Sequence, residues 1–106
     1  MNQTCSSTKN LQKQIFLSIV IPLYNSASIL PELHRRLTSA MKSLGHSYEI
    51  IFVDDCGLDN TWHVLQGLVE TDAAVIGIQL MRNTGQGSAT LCGLENVRGE
   101  LILTMD

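Results

Sequence analysis

Short apolar runs alternate with longer amphipathic segments along most of this 106-residue chain. A β-branched run at Ile15–Leu23 predicts a buried strand. Apolar residues three or four apart, between about residues 28 and 44, predict a helix with one buried stripe. The alternation then repeats, with strands predicted at 48–53, 75–80 and 100–105 and helices from about residue 61 and over 88–97. This order predicts an α/β fold, a mostly parallel sheet with helices on both faces.

Polar residues follow each predicted strand directly. They are Tyr24 and Asn25, Asp54 and Asp55, Arg82 and Asn83, and, at the last strand, Asp106. In open α/β sheets, ligands bind beyond the carboxyl ends of the strands, near the point where the strand order reverses. The sequence therefore predicts a site in which these four groups gather along one edge of the sheet.

The residue types in these groups favour a ligand with an aromatic base and a phosphate, although each has a plainer alternative. The adjacent carboxylates of Asp54 and Asp55 repel each other, so a ligand donor, a cation or backbone donors must offset that repulsion; either one could instead cap a turn. The Tyr24 ring suits stacking on a base, or the edge of the core. Arg82 and Asn83 open a glycine-containing loop before a helix, which suits a phosphate or a plain solvated turn.

Composition narrows the classes of partner. The net charge is −3, with only seven Lys and Arg residues, which gives no basic field for binding nucleic acid. No run approaches the roughly 18 to 20 apolar residues that span a bilayer. The polar first 14 residues contain no hydrophobic signal core. We expect residues 1–14 to be a disordered leader and this part of the protein to be cytoplasmic.

Four stretches, in order along the chain, resemble the family 2 glycosyltransferases of the GT-A fold. They are SIVIPLYN (18–25), VDDCGLDNTW (53–62), RNTGQGSATLCGLENVRGE (82–100) and LILTMD (101–106). Within that family the chain most resembles the polyprenyl-phosphate sugar transferases, the dolichol-phosphate mannose synthase-like group. The resemblance implies that residues 15–106 are the Rossmann-like, nucleotide-sugar-binding half of a GT-A domain. It also implies that this half stops at the first Asp of the family's D-x-D motif.

The resemblance implies a role for each matched residue. Pro22 and Tyr24 would line the base pocket, and Asp55 would accept a hydrogen bond from the base, with Asp54 in support. Asp106 would hold Mg²⁺ or Mn²⁺ on the diphosphate of the donor, where the ion neutralises charge on the departing nucleotide. The implied activity is metal-assisted, inverting transfer of a sugar from a UDP- or GDP-sugar to an acceptor such as a polyprenyl phosphate.

The same resemblance implies that further chain would carry the acceptor site, any general base and the segments that associate with a membrane. We therefore expect the longer protein at the cytoplasmic face of a membrane. The present chain alone is expected to bind the donor without turning it over.

The chain departs from the family pattern at two places, and three alternative functions have to be weighed. Cys56 and Gly57 stand where the family usually has Gly-Ser, and Ser26 stands where an acidic residue often follows Tyr-Asn. A dinucleotide-binding oxidoreductase requires G-x-G-x-x-G in the first strand-to-helix turn, and PLYNSAS contains no glycine. A non-catalytic nucleotide-binding or regulatory module of the same fold remains an alternative. So does a folding fragment that self-associates into a homo-oligomer through the open edge of its last strand.

Overall fold

The structure, a computed structural model, describes residues 14–105, so Asp106 and nearly all of the predicted leader lie outside the described residues. Within this range four strands alternate with three helices. They are β1 (Ile15–Leu23), α1 (Leu30–Leu44), β2 (Tyr48–Asp54), α2 (Thr61–Thr71), β3 (Val75–Gln79), α3 (Gln86–Leu94) and β4 (Gly99–Thr104). The predicted order of elements is confirmed, but α3 begins at Gln86 rather than 88 and ends at Leu94 rather than 97.

The four strands form one sheet in the order β3-β2-β1-β4, and each neighbouring pair is parallel. From β1 the chain runs outward through β2 to β3, and then returns to place β4 on the other side of β1. The strand order therefore reverses at β1, which makes the carboxyl end of β1 the expected place for a ligand.

Side chains alternate between two cores because successive residues of a strand point to opposite faces. Ile19, Ile21 and Phe52 pack on one face with residues of α1 and α2. Val20, Ile51 and Val53 pack on the other face against Ala89 of α3. Helices therefore cover both faces of the sheet, as predicted.

Helix α3 approaches the sheet closely at Gly93. A Cβ atom at this position would lie 2.4 Å from Val20 Cγ1 and 3.2 Å from Val53 Cγ2. The absence of a side chain lets the helix backbone rest almost directly on β1 and β2. This contact fixes the height of α3 above the sheet, and so the position of its first turn.

Local signals in the sequence explain the bounds of α1. Pro31 lies in the first turn of the helix, where its missing N–H has no helical partner to lose. Leu30, Leu37 and Met41 are buried along one face. Gly45 ends the helix in the left-handed conformation, with φ 75°.

Among the described residues, no helix combines the length and apolar character needed to cross a membrane.

A buried carboxylate holds the amino-terminal end of the sheet together. Glu49 in β2 is 1% exposed, and it accepts hydrogen bonds from the Ser18 hydroxyl in β1 and from the Arg98 backbone N–H. The Arg98 guanidinium adds an ion pair at 3.0 Å. These contacts fix the start of β4 beside β1, at the end of the sheet opposite the predicted site.

Candidate functional site

A cleft of about 450 Å³ opens at the carboxyl end of β1. Four residues predicted from the sequence, Pro22, Tyr24, Asp55 and Asn83, line this cleft together with Leu23, Ser26, Gly85 and Gln86. The turn after β1, the end of β2 and the loop between β3 and α3 each supply part of the wall. The cleft lies where the strand order reverses, as expected for an α/β sheet.

Asp55 joins two walls of the cleft through its carboxylate. Its Oδ1 accepts hydrogen bonds from the Thr84 backbone N–H (2.8 Å) and from the Thr84 hydroxyl (3.1 Å), and its Oδ2 accepts one from the Gly85 N–H (2.9 Å). The Asp55 N–H in turn donates to Leu23 O at 2.8 Å. A carboxylate beside the first residues of α3 also interacts favourably with the helix dipole. Asp55 therefore fixes the β3–α3 loop against the ends of β1 and β2.

Asp54, the preceding residue, lies in a different environment. It is 3% exposed, does not line the cleft, and its Oδ1 has no hydrogen-bond partner among the described residues. Burial raises the pKa of the Asp54 carboxyl, and the Asp59 and Asp55 carboxylates raise it further. Backbone N–H groups at residues 56 and 57 oppose this rise in the pKa. The supporting role expected for Asp54 would therefore act from beneath the site and not by direct contact across the cleft.

The turn after β1 presents Tyr24 at the mouth of the cleft. Tyr24 is 52% exposed, so its ring is accessible to a ligand. The Ser26 hydroxyl bonds to the backbone of Tyr24, accepting from the Tyr24 N–H at 3.2 Å and donating to the Tyr24 carbonyl at 3.1 Å. Ser26 is itself held by a hydrogen bond from its N–H to the Thr61 hydroxyl (2.8 Å). These bonds fix the backbone of the turn while leaving the ring accessible.

Asn25 connects the turn after β1 with the turn after β2. Its backbone is left-handed, with φ 49°, and its Oδ1 accepts from the Leu58 N–H (2.8 Å) and the Asp59 N–H (3.2 Å). A Cβ at Gly57 would lie 2.4 Å from Asn25 Oδ1. The glycine found here in place of the family's usual serine is therefore the residue that permits this contact.

The two remaining predicted residues, Arg82 and Asn83, lie next to each other in the β3–α3 loop, but only one of them lines the cleft. Asn83 lines the cleft, whereas Arg82 is exposed and lies outside its lining. Thr84 was not predicted, although its two hydrogen bonds to Asp55 make it a direct support of the site. Ser26, Gly85 and Gln86 were not predicted as lining residues either. Contacts between segments about 30 residues apart leave no local pattern that could have identified them.

A metal site is not built by the described residues themselves. Within residues 14–105, no group of three or more His, Cys, Asp and Glu side chains is arranged to hold a metal ion. The predicted metal ligand, Asp106, lies outside the described range.

Curated relatives of this chain transfer sugars, according to their names. The undecaprenyl-phosphate 4-deoxy-4-formamido-L-arabinose transferase of Shewanella sediminis is 44% identical over 99 residues, covering 92% of this chain and 30% of that protein. The protein of the same name in Pseudomonas paraeruginosa is 46% identical over 91 residues, covering 85% of this chain and 27% of that protein. The chain thus spans less than a third of the length of these relatives.

Solved structures share the fold. TarS 1–349 of S. aureus in complex with UDP superposes with a TM-score of 0.71 at 26% identity, covering 87% of this chain and 27% of that one. The mannosyltransferase PcManGT from Pyrobaculum calidifontis, solved with GDP-Man and Mn²⁺, gives a TM-score of 0.70 at 20% identity, covering 84% of this chain and 26% of that one. The family model described as glycosyl transferase family 2 matches residues 18–106. The topology, the place of the cleft and this match agree: the chain belongs to glycosyl transferase family 2.

Proposed function

We propose that this chain is the nucleotide-sugar-binding part of a glycosyltransferase that transfers a sugar to a polyprenyl phosphate. The observation that carries the proposal is the cleft itself, which brings Tyr24 and Asp55 together at the reversal of strand order. The names of the similar undecaprenyl-phosphate transferases support a polyprenyl phosphate as the acceptor. The TarS complexes with UDP and UDP-GlcNAc support a nucleotide-sugar donor.

In this proposal each wall of the cleft binds a different part of the donor. The base stacks on the exposed Tyr24 ring, beside Pro22, and donates a hydrogen bond to Asp55. Asn83, which lines the cleft, and Arg82, the exposed residue before it in the same loop, would contact the phosphates. An acceptor phosphate is ionised near pH 7, since its second pKa is about 6, so its oxygen needs little help from a base to attack the sugar. The chain's own residues therefore bind and orient the donor.

We further propose that Asp106 supplies one ligand to Mg²⁺ or Mn²⁺ at the diphosphate. Oxygen ligands and phosphates suit these ions, and a bound ion would neutralise negative charge on the leaving nucleotide.

The proposed location is cytoplasmic, with the longer protein at a membrane face where a lipid phosphate is accessible.

Calorimetric titration tests donor binding. We expect the chain to bind UDP or GDP, or their sugars, more tightly with Mn²⁺ than without it. Tyr24→Ala and Asp55→Ala should each weaken binding by about tenfold or more, because they remove a stacking surface and a charged acceptor. Thr71→Ala is the matched control, since the Thr71 hydroxyl bonds only within α2, away from the cleft. Equally weak, metal-independent binding of every nucleotide would contradict the proposal.

A transfer assay separates the enzyme from the non-catalytic alternative. With undecaprenyl phosphate and a radiolabelled nucleotide-sugar, the longer protein should produce labelled lipid, whereas the 106-residue chain alone should not. Donor binding without transfer by the longer protein would favour a regulatory module. Transfer by the short chain would overturn the assignment of this part to donor binding alone.

A further inference from the structure

The Asp55 carboxylate has few acceptor positions left for a ligand. An ionised carboxylate offers about four lone-pair positions, two on each oxygen. Oδ1 already receives the Thr84 N–H and the Thr84 hydroxyl, and Oδ2 receives the Gly85 N–H. Among the described residues three positions are thus occupied, which leaves one, on Oδ2.

Asp55 lines the cleft, so a ligand bound there would lie beside its carboxylate. Asp55 is 3% exposed and lines the cleft, while its backbone N–H is directed to Leu23 O. The Thr84–Gly85 backbone closes the side of the carboxylate toward α3. A nucleotide base in the cleft would therefore meet a carboxylate that accepts one hydrogen bond and not two.

The two bases carried by common sugar donors differ in this respect. Uracil presents a single ring N–H between two carbonyl groups. Guanine presents a ring N–H and an exocyclic amino group side by side, a pair that matches a carboxylate with a free position on each oxygen. Placed against Asp55, guanine would leave one of these donors without a partner, and sites that leave a buried polar group unpaired discriminate strongly against the ligand.

We propose that Thr84 is a specificity-determining residue, whose hydroxyl fills the second acceptor position of Asp55 Oδ1 and so favours uridine over guanosine diphosphate donors. This rests on the proposed function, because it takes the base to lie beside Asp55. Thr84 acts without touching the base: it sets how many hydrogen bonds the carboxylate can still accept.

The test compares nucleotide affinities for the 106-residue chain and two variants. Wild type should bind UDP about tenfold or more tightly than GDP, the factor that corresponds to one hydrogen bond to a charged group. Thr84→Ala keeps the backbone N–H but opens the Oδ1 position, so the UDP-to-GDP affinity ratio should fall by about tenfold. Thr84→Ser retains the hydroxyl and should retain the ratio. Alanine is preferred to valine because a valine methyl group would fill the position that the hydroxyl leaves.

Inosine diphosphate gives a second measurement that does not depend on a variant folding. It has the ring N–H of guanine but lacks the amino group, so wild type should bind it more tightly than GDP. Equal binding of UDP and GDP, no gain for inosine diphosphate, or an unchanged ratio in a folded Thr84→Ala variant would overturn the role of Thr84 while leaving donor binding intact. Failure of every nucleotide to bind would overturn the proposed function and this inference together.

Discussion

At the residue scale, the two adjacent aspartates after β2 show how one position in a strand changes the surroundings of a side chain. Asp55 has three donors for its carboxylate and borders the cleft. Asp54 does not line the cleft, is buried, and keeps one oxygen without a partner among the described residues. The sequence predicts a pair of site carboxylates, but only the structure shows that Asp55 lines the cleft and Asp54 does not.

The raised pKa of Asp54 predicts a pH dependence of stability. Burial raises this pKa in the folded chain from its ordinary value of 3.8, so the folded state binds the proton more tightly than the unfolded state. The free energy of unfolding should therefore fall as the pH rises from about 3.8 through the raised pKa, and level off above it. Asp54→Asn should remove this fall. Urea denaturation between pH 3 and pH 8 measures the free energy of unfolding, and an equal fall with pH in both proteins would show that Asp54 does not cause it.

Asp59 provides a control of opposite sign. The Thr61 hydroxyl holds the pKa of the Asp59 carboxyl below its ordinary value of 3.8. Its stabilising contribution is therefore present above pH 3.8 and lost as the pH falls through the lower folded pKa. Asp59→Asn should destabilise the chain at neutral pH and less so in acid, the reverse of the pattern for Asp54→Asn.

The contact between Gly57 and Asn25 predicts the effect of adding a single methyl group. In Gly57→Ala the new Cβ would fall 2.4 Å from Asn25 Oδ1 and 2.8 Å from Asn25 N, so the two turns must separate. We expect a loss of about 1–3 kcal/mol in the free energy of unfolding, with weaker nucleotide binding because Tyr24 is carried on the displaced turn.

Gly67→Ala is the matched control, measured by the same denaturation. A Cβ at Gly67, inside α2, meets nothing within 4 Å. Alanine there should stabilise the chain by about 0.5–1 kcal/mol, because it is the better helix former. Equal free energies of unfolding for the Gly57→Ala and Gly67→Ala variants would contradict a close contact between Gly57 and Asn25.

At the element scale, α3 connects the core to the cleft. Its Gly93 rests on Val20 at the sheet, and its first residue, Gln86, lines the cleft. Gly93→Ala should lift the helix, lowering the free energy of unfolding by about 1–3 kcal/mol and weakening nucleotide binding. In Gly87→Ala the added Cβ meets nothing within 4 Å, so the stability should be unchanged or slightly higher. Denaturation of both variants measures these free energies of unfolding. An unchanged value for Gly93→Ala would show that α3 can move away from Val20 without loss of stability.

The helices and strands also show how much of the structure the sequence alone could predict. The β-branched strands and the regular apolar spacing of α1 predicted those elements with bounds within two residues of those observed. The bounds of α3 were less accurate because it begins within a Gly-Gln-Gly stretch and carries a weak apolar pattern. Of the site, the order of strands predicted which segments meet. It could not predict that Thr84 binds Asp55, because that contact depends on side-chain geometry across two loops.

At the scale of the whole molecule, the reversal of strand order at β1 places the cleft, and helices on both faces hold its walls. The β4 strand lies at one edge of the sheet with its apolar side chains Leu101, Ile102 and Leu103 about half exposed. Self-association through this edge stays a prediction, as do the disordered leader at 1–14, the role of Asp106 and the cytoplasmic location.

A residue-resolved NMR titration of the chain with UDP tests whether the cleft at the end of β1 binds the nucleotide. We expect the largest amide shift changes at Tyr24, Thr84 and Gly85, around the cleft of about 450 Å³. A smaller groove of about 230 Å³ lies elsewhere, lined by Trp62, Gln66, Val69, Glu70 and Gly77. Changes centred on that groove, or spread evenly over the chain at saturating UDP, would contradict the assignment of the cleft at the end of β1 as the nucleotide site.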